Sequence, residues 1–347
     1  MKDRIVIHLD DPQWIDSLSL EYLQSIANEP IDNIVILASC RYLESGEMID
    51  LKIPFTCIDH IALGALDEHT SQHMICNLLD TGTLPQKTLN WIVEKSSGNP
   101  LFIEQIISFL KENACFDASF NLNQNIDELQ SFTITDIIGN RIDSLTENVR
   151  NTLQHACILG MEFNTTILSE MLTRELRPEL NSGKKARVWS DLDHLTYIFS
   201  HVLIKDTAYH RMLSEKLRKL HVLAAETMIK LQLTEDTTNH ETIAFHYERA
   251  EVWDRAREYY LKAAINHSQK FSFSASEQYF QVALQLNSRL YDDISVFTAE
   301  ILVHYEEMVF NKGDLRSSLA TSERIKEIYE ATIGMYNEKY VVALIRL

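Results

Sequence analysis

Two consecutive acids, Asp10 and Asp11, close the apolar run Ile5-Val6-Ile7-His8-Leu9. A buried strand of a parallel sheet delivers the residues that follow it to its carboxyl end, where such sheets bind ligands. Two carboxylates at that point suit the hydrolysis of a nucleoside triphosphate. Asp10 can hold a water of a Mg2+ shell, and Asp11 can orient or deprotonate the attacking water. The same residues also describe a strand ending in an Asp-rich turn that caps the next helix, and residue types alone leave both readings open. Other chemistry is poorly served. Local spacing suggests no Ser-His-Asp or Cys-His set, and the thirteen histidines are scattered. His240-Glu241 lacks the second histidine of a helix-borne zinc site. The phosphate-binding loop Gly-x-x-x-x-Gly-Lys-Ser/Thr is also missing. At Gly183-Lys184, Pro178 stands where the first glycine belongs and Lys185 where the hydroxyl residue belongs, far C-terminal to the acidic strand.

To present these acids the chain needs a sheet, and the apolar pattern supplies one. Residues 5–9 read as a strand, 16–28 as an amphipathic helix with Leu20, Leu23, Ile26 and Ala27 on one face, and 34–39 as a second strand. Continuous β-branched runs of this kind predict strands buried on both faces. The segment 58–66 reads as a third, short strand, and 67–113 as helical. From about 126 to 235 helices dominate. Ile134, Ile137, Ile138, Ile142 and Leu145 fall at helical spacing, and a helix at 149–160 stops at Gly160. A second short helix at 161–172 precedes a polar loop at 177–193, and 195–209 reads as a strand feeding a helix; these are the ingredients of a winged helix. From about 240 the chain is helical, with small, aromatic and alanine residues at intervals of four and three: Ala256, Tyr260, Ala263, then Ser276, Phe280, Ala283. That is how helices nest in a helical-hairpin repeat. The 20 residues between Ala256 and Ser276, against about 34 in a tetratricopeptide repeat, make the repeats degenerate.

Bulk properties narrow the partners. The chain has 347 residues, 45% of them hydrophobic, enough for two or three cored domains. Its nine glycines and six prolines favour helices over a turn-rich β protein. A formal net charge of −18 opposes non-specific nucleic-acid binding, which draws on a basic surface. The clusters Lys184, Lys185, Arg187 and Lys216, Arg218, Lys219 read as solvated faces. The five cysteines, Cys40, Cys57, Cys76, Cys115 and Cys157, are odd in number with no close pair, as in a reduced compartment. The N-terminal apolar run is too short for a leader and is broken by His8, and no run approaches the ~18 apolar residues of a membrane helix. The expectation is a cytoplasmic protein without membrane or nucleic-acid partners.

Four motifs, in order, carry a family resemblance. Asp10-Asp11-Pro12-Gln13-Trp14-Ile15-Asp16, with Ser19-Leu20 beyond, resembles the Walker B region of STAND signalling ATPases, the group related to Orc1-like AAA proteins and found beside class III nucleotide cyclases, Ser/Thr kinases and LuxR-type regulators. Residues 35–42 resemble the sensor-1 strand, with Arg41 at the position that reads the terminal phosphate. Ser97-Gly98-Asn99-Pro100-Leu101-Phe102 resembles the family's lid segment, whose proline lies near the base; Pro100 matches it. Tyr197, Phe199, His201, Leu203 and Tyr209, followed by Arg218 and His221, match the stretch after the winged helix. Trp14 reads as packing against the sheet edge, and His201 and His221 as structural. The resemblance covers roughly residues 3–270. It implies a multidomain α/β plus all-α chain: residues 1–66 the C-terminal part of the nucleotide-binding core with a partial P-loop NTPase parallel sheet, 67–125 a helical lid, 126–235 a winged-helix-like domain, and 236–347 TPR-like helical repeats. It further implies Mg2+ and ATP or ADP as cofactors of the intact protein.

With the phosphate-binding loop absent, the expectation is a fragment of a nucleotide-dependent switch. Nucleotide would bias an interdomain arrangement, the repeats would bind a protein partner, and a fused effector domain would give the output. The alternative is a non-catalytic scaffold of winged-helix and repeat modules.

Overall fold

The computed structural model describes residues 5–10, 12, 15, 17–28, 34–40, 59–112, 114–122, 133–231 and 239–333. Asp11, Trp14, Arg41 and Cys57 lie outside the described residues. Among the described residues the chain is mostly helical with two small sheets. It divides into two compact units, Leu63–Ala256 and a second made of Met1–Ala62 with Arg257–Leu347.

In the latter unit, β1 (Ile5–Asp10) and β2 (Ile34–Ser39) pair in parallel, with α1 (Ser17–Asn28) in the crossover. The register runs from Ile5 opposite Ile34 to Asp10 opposite Ser39. The expected burial on both faces is not found: Ile5, Val6, Val35 and Leu37 are exposed, Val6 to 67% and Val35 to 61%. β-branched residues favour extended backbone whether or not the strand is covered. Burial on both faces needs helices on both sides, and among the described residues this sheet has two strands and one crossover helix.

The expected third strand also fails among its described residues, since 59–66 hold no strand and Ile61 and Leu63 are exposed. A strand needs a ladder partner. Here the Leu66 amide donates instead to the Gly98 carbonyl at 2.8 Å, in the Leu63–Ala256 unit.

That unit begins with α2 (Glu68–Leu79), α3 (Gln86–Ser96) and α4 (Pro100–Glu112). Their apolar stripes converge in a core of Ile75, Leu79, Leu89, Ile92, Ile103 and Leu110, joined by Ile137 of α5 (Ile134–Ser144). A reciprocal cap opens α5: Thr133 Oγ1 accepts from the Asp136 amide, and the Asp136 carboxylate accepts from the Thr133 amide. Helix α6 (Glu147–Leu159) stops at Gly160, with φ 129°, as its sequence predicts.

Next come β3 (Glu162–Asn164), α7 (Thr165–Leu172), α8 (Arg177–Lys185), β4 (Trp189–Asp191), β5 (Thr196–Phe199), α9 (Val202–His210) and α10 (Ser214–Lys230). The strands form an antiparallel sheet in the order β3-β5-β4. The strand-to-helix reading of 195–209 matches β5 and α9. The polar loop expected at 177–193 is instead α8 followed by β4. Its charges mask a sparse inward pattern: Pro178 sits in the first turn, Leu180 is buried, and Gly183 leaves room for the Trp189 ring to press against the helix. Trp189 is fully buried beside Phe163 and Phe199 and donates its Nε1–H to the Leu180 carbonyl at 2.9 Å.

The helical series follows as α11 (Asn239–Arg249), α12 (Trp253–Gln269), α13 (Phe273–Leu290), α14 (Val296–Asn311) and α15 (Leu315–Thr332). Ala256, Tyr260, Ala263, Ser276, Phe280 and Ala283 are all buried, as their spacing predicts. Small residues allow close helix approach: Ser276 donates its hydroxyl to the Ala264 carbonyl at 2.8 Å, and Phe280 meets Tyr305 edge-on. Within this series the helix ends after α11, α12 and α14 use one turn, in which paired backrunning hydrogen bonds enclose a left-handed residue. That residue is Glu251, Phe271 and Gly313 in turn.

Candidate functional site

The carboxyl end of β1 holds Asp10. The parallel register brings Ser39 opposite it, and Ser39 Oγ donates to Asp10 Oδ1 at 2.8 Å. His8 Nε2 lies 3.1 Å from the same hydroxyl. The cluster is exposed and the carboxylate faces solvent. A carboxylate offers about four lone-pair positions, so one hydroxyl fixes the orientation of Asp10 without exhausting it. Sequence reasoning missed Ser39. Its signal was its place as sixth residue of the second strand, matching Asp10 as sixth of the first.

Pro100 belongs to the other unit. Helix α3 ends at Ser97 in the left-handed region, Gly98 follows at φ 70°, and α4 begins with Pro100. The Asn99 side chain caps α4, its Oδ1 accepting from the Leu101 amide at 3.0 Å. Pro100 thus sits at the first helical position, where its fixed φ fits and its missing N–H costs nothing. Gly98 is required twice over, by its positive φ and because a Cβ there would lie 2.3 Å from the Leu66 carbonyl oxygen. The turn presents Pro100, Asn99 and Ser97 to solvent.

The stretch Tyr197 to His221 runs from β5 through α9 into α10. Phe199 is buried, and Tyr197 stacks on Phe163. His201 caps α9, its Nδ1 accepting from the Leu203 amide at 3.0 Å. His221 is buried, with Nε2 2.9 Å from the Tyr209 hydroxyl and Nδ1 2.9 Å from His246 Nδ1. Burial pushes His221 down to about 4 and His246 to about 3, with the positive charge of Arg249 adding to the effect on His221. Both are therefore neutral near pH 7. These histidines hold elements together.

A further residue unmarked in the sequence is Arg141. It is buried, donates to Gln105 Oε1 at 2.8 Å and to the Ala186 carbonyl, and lies 3.6 Å from Glu112. It locks α4 to the segment after α8. Among the described residues, no three His, Cys, Asp or Glu side chains gather as a metal site, and no helix is long and apolar enough to cross a membrane.

No family model matches the chain. It is similar to an uncharacterized protein of Rhizobium meliloti (strain 1021), at 22% identity over 306 residues. The match covers 81% of this chain and 28% of that protein, so the chain spans little more than a quarter of the length of this curated relative. Among solved structures it is similar to a Signal Transduction ATPase with Numerous Domains (STAND) protein with a tetratricopeptide repeat sensor from Pyrococcus horikoshii, with a TM-score of 0.42 and 11% identity over 98% of this chain and 58% of that one.

Proposed function

We propose that this chain is part of an ATP-dependent signal-transduction switch of the STAND kind, in which nucleotide state controls a separate effector domain such as a nucleotide cyclase or kinase. What carries the reading is the pairing of Asp10 with Ser39 at the carboxyl end of two parallel strands. A carboxylate and a hydroxyl are the hard oxygen donors that Mg2+ prefers, commonly through water. Bound Mg2+ supplies neutralisation of charge on the β- and γ-phosphate oxygens. In this proposal Asp10 holds a water of the metal shell and Ser39 keeps its carboxylate turned toward that water. Asp11 orients the attacking water, Arg41 binds the terminal phosphate, and Pro100 packs near the base. The β1–β2 pair is then part of a P-loop NTPase sheet and α2–α4 the helical lid. Residues from α5 to α10 form a winged-helix-like spacer, and the later helices are a TPR-like sensor for a protein partner.

The test is ATP turnover and fluorescent-analogue binding by the full-length protein, with and without Mg2+. Asp11→Asn should lower turnover by about 10²–10⁴-fold, and Asp10→Asn should abolish the Mg2+ dependence of binding. The present chain alone, having no Gly-x-x-x-x-Gly-Lys-Ser/Thr, should show no saturable binding of the analogue. If both variants leave turnover and Mg2+ dependence intact, the nucleotide reading fails and the scaffold reading replaces it.

A further inference from the structure

Helix α2 carries two histidines one turn apart, His69 and His73. Residues at i and i+4 share a helix face, and here the two rings lie with centroids 4.7 Å apart and planes inclined by 48°. Both side chains are exposed, while Ser71, Ile75 and Leu79 of the same helix are buried. The histidine face is therefore the outer face of an anchored helix. Its first turn is fixed as well: the Asp67 carboxylate accepts from the Thr70 amide at 2.7 Å, and the residue before Asp67, Leu66, is tied to the Gly98 carbonyl.

Two imidazole nitrogens bound to one ion at about 2.0–2.1 Å in tetrahedral geometry stand about 3.3 Å apart. Rings with centroids 4.7 Å apart reach that separation by side-chain rotation alone. Neutral imidazole selects Zn2+, Ni2+ and Cu2+ over Mg2+ and Ca2+, which take oxygen donors. We propose that His69 and His73 form a chelating pair for one divalent transition-metal ion of the imidazole-binding class, with Zn2+ the redox-inert member. Water or a donor from a binding partner fills the open positions, since among the described residues no third metal-binding side chain is gathered there. The pair owes its affinity to placement. The second imidazole is held beside the first by the helix, and such linkage strengthens binding by about 10²–10⁴ over separate sites. A bound ion would also staple the first turn and a half of α2.

The experiment titrates the full chain with ZnCl2 and NiCl2 by calorimetry and follows thermal unfolding in parallel. Wild type, His69→Gln, His73→Gln and, as a control for scattered histidines, His60→Gln are compared. The expected result is one saturable equivalent in wild type and His60→Gln, weakened on the order of a hundredfold in each of the other two variants, with the metal-induced rise in Tm lost alongside it. MgCl2 should give neither effect. Circular dichroism of the exposed-site variants, expected to match wild type, separates lost binding from lost folding. No saturable step in wild type, or a step surviving in both His69→Gln and His73→Gln, would overturn the proposal.

Discussion

The buried pair His221–His246 makes the sharpest claim about a single side chain. Their Nδ1 atoms are 2.9 Å apart, so one must carry a proton and the other must not. Tyr209 takes up the remaining nitrogen of His221, and among the described residues the buried His246 Nε2 has no hydrogen-bond partner. Arg249 on the same helix as His246 adds positive charge, while Phe245 packs its edge against both rings. Both histidines are neutral in the fold, with values lowered from 6.5 to about 4 and about 3. The unfolded chain binds more protons below about pH 6.5. Their contribution is fully present above that point and is lost as pH falls toward the folded values. Urea midpoints measured between pH 7.5 and 5 should therefore drop more steeply in wild type than in a His221→Leu/His246→Leu variant; parallel slopes would show that the pair does not titrate this way. A histidine inside an apolar helix face is easy to read as structural, as His221 was, but its partner 25 residues away is invisible without the fold. Asp10 was legible because it ends an apolar run. Ser39 was not, because its meaning comes from a cross-strand register.

Among elements, the α3–α4 turn and the α8–β4 contact tolerate little change. Gly98→Ala combines a positive φ with a Cβ 2.3 Å from the Leu66 carbonyl oxygen, so backbone must move; the expected loss is about 2 kcal/mol or more in urea unfolding. Asn99→Ala removes only a cap and should cost about 1 kcal/mol. Gly183→Ala meets the Trp189 ring at 2.2 Å and falls among overpacking changes of about 1–3 kcal/mol. The order Gly98→Ala above Asn99→Ala is the check: equal losses would mean that the turn relaxes freely. Helices with full apolar stripes, such as α4 and α13, could be read from periodicity. Helix α8 could not, because Arg177, Lys184 and Lys185 crowd its sequence and a few positions, Leu180 and Gly183 among them, face inward. The strand expected at 58–66 fails over its described residues, 59–66, for the opposite reason: the residues suit a strand, but a strand exists only with a neighbour.

For the whole chain, the acidic balance sets the response to salt. With a formal net charge of −18, self-repulsion opposes compaction and is screened within about 10 Å at 0.1 M salt. Raising NaCl from low ionic strength to about 0.3 M should increase Tm; a fall would mean that surface pairs such as Lys184–Asp191 and Arg211–Asp143 outweigh the repulsion. The same field should repel DNA most strongly at low salt. Against this solubilising charge stands the parallel pair β1–β2. Its outer edges are unpaired among the described residues, and Ile5, Val6, Val35 and Leu37 present β-branched and aliphatic surface to water. An open edge flanked by such residues is a template on which another chain can lay a strand. Left uncovered, these two strands are the seed from which copies of the chain would join edge to edge into growing assemblies. Val35→Lys, near the start of β2, would be the gatekeeper that stops them.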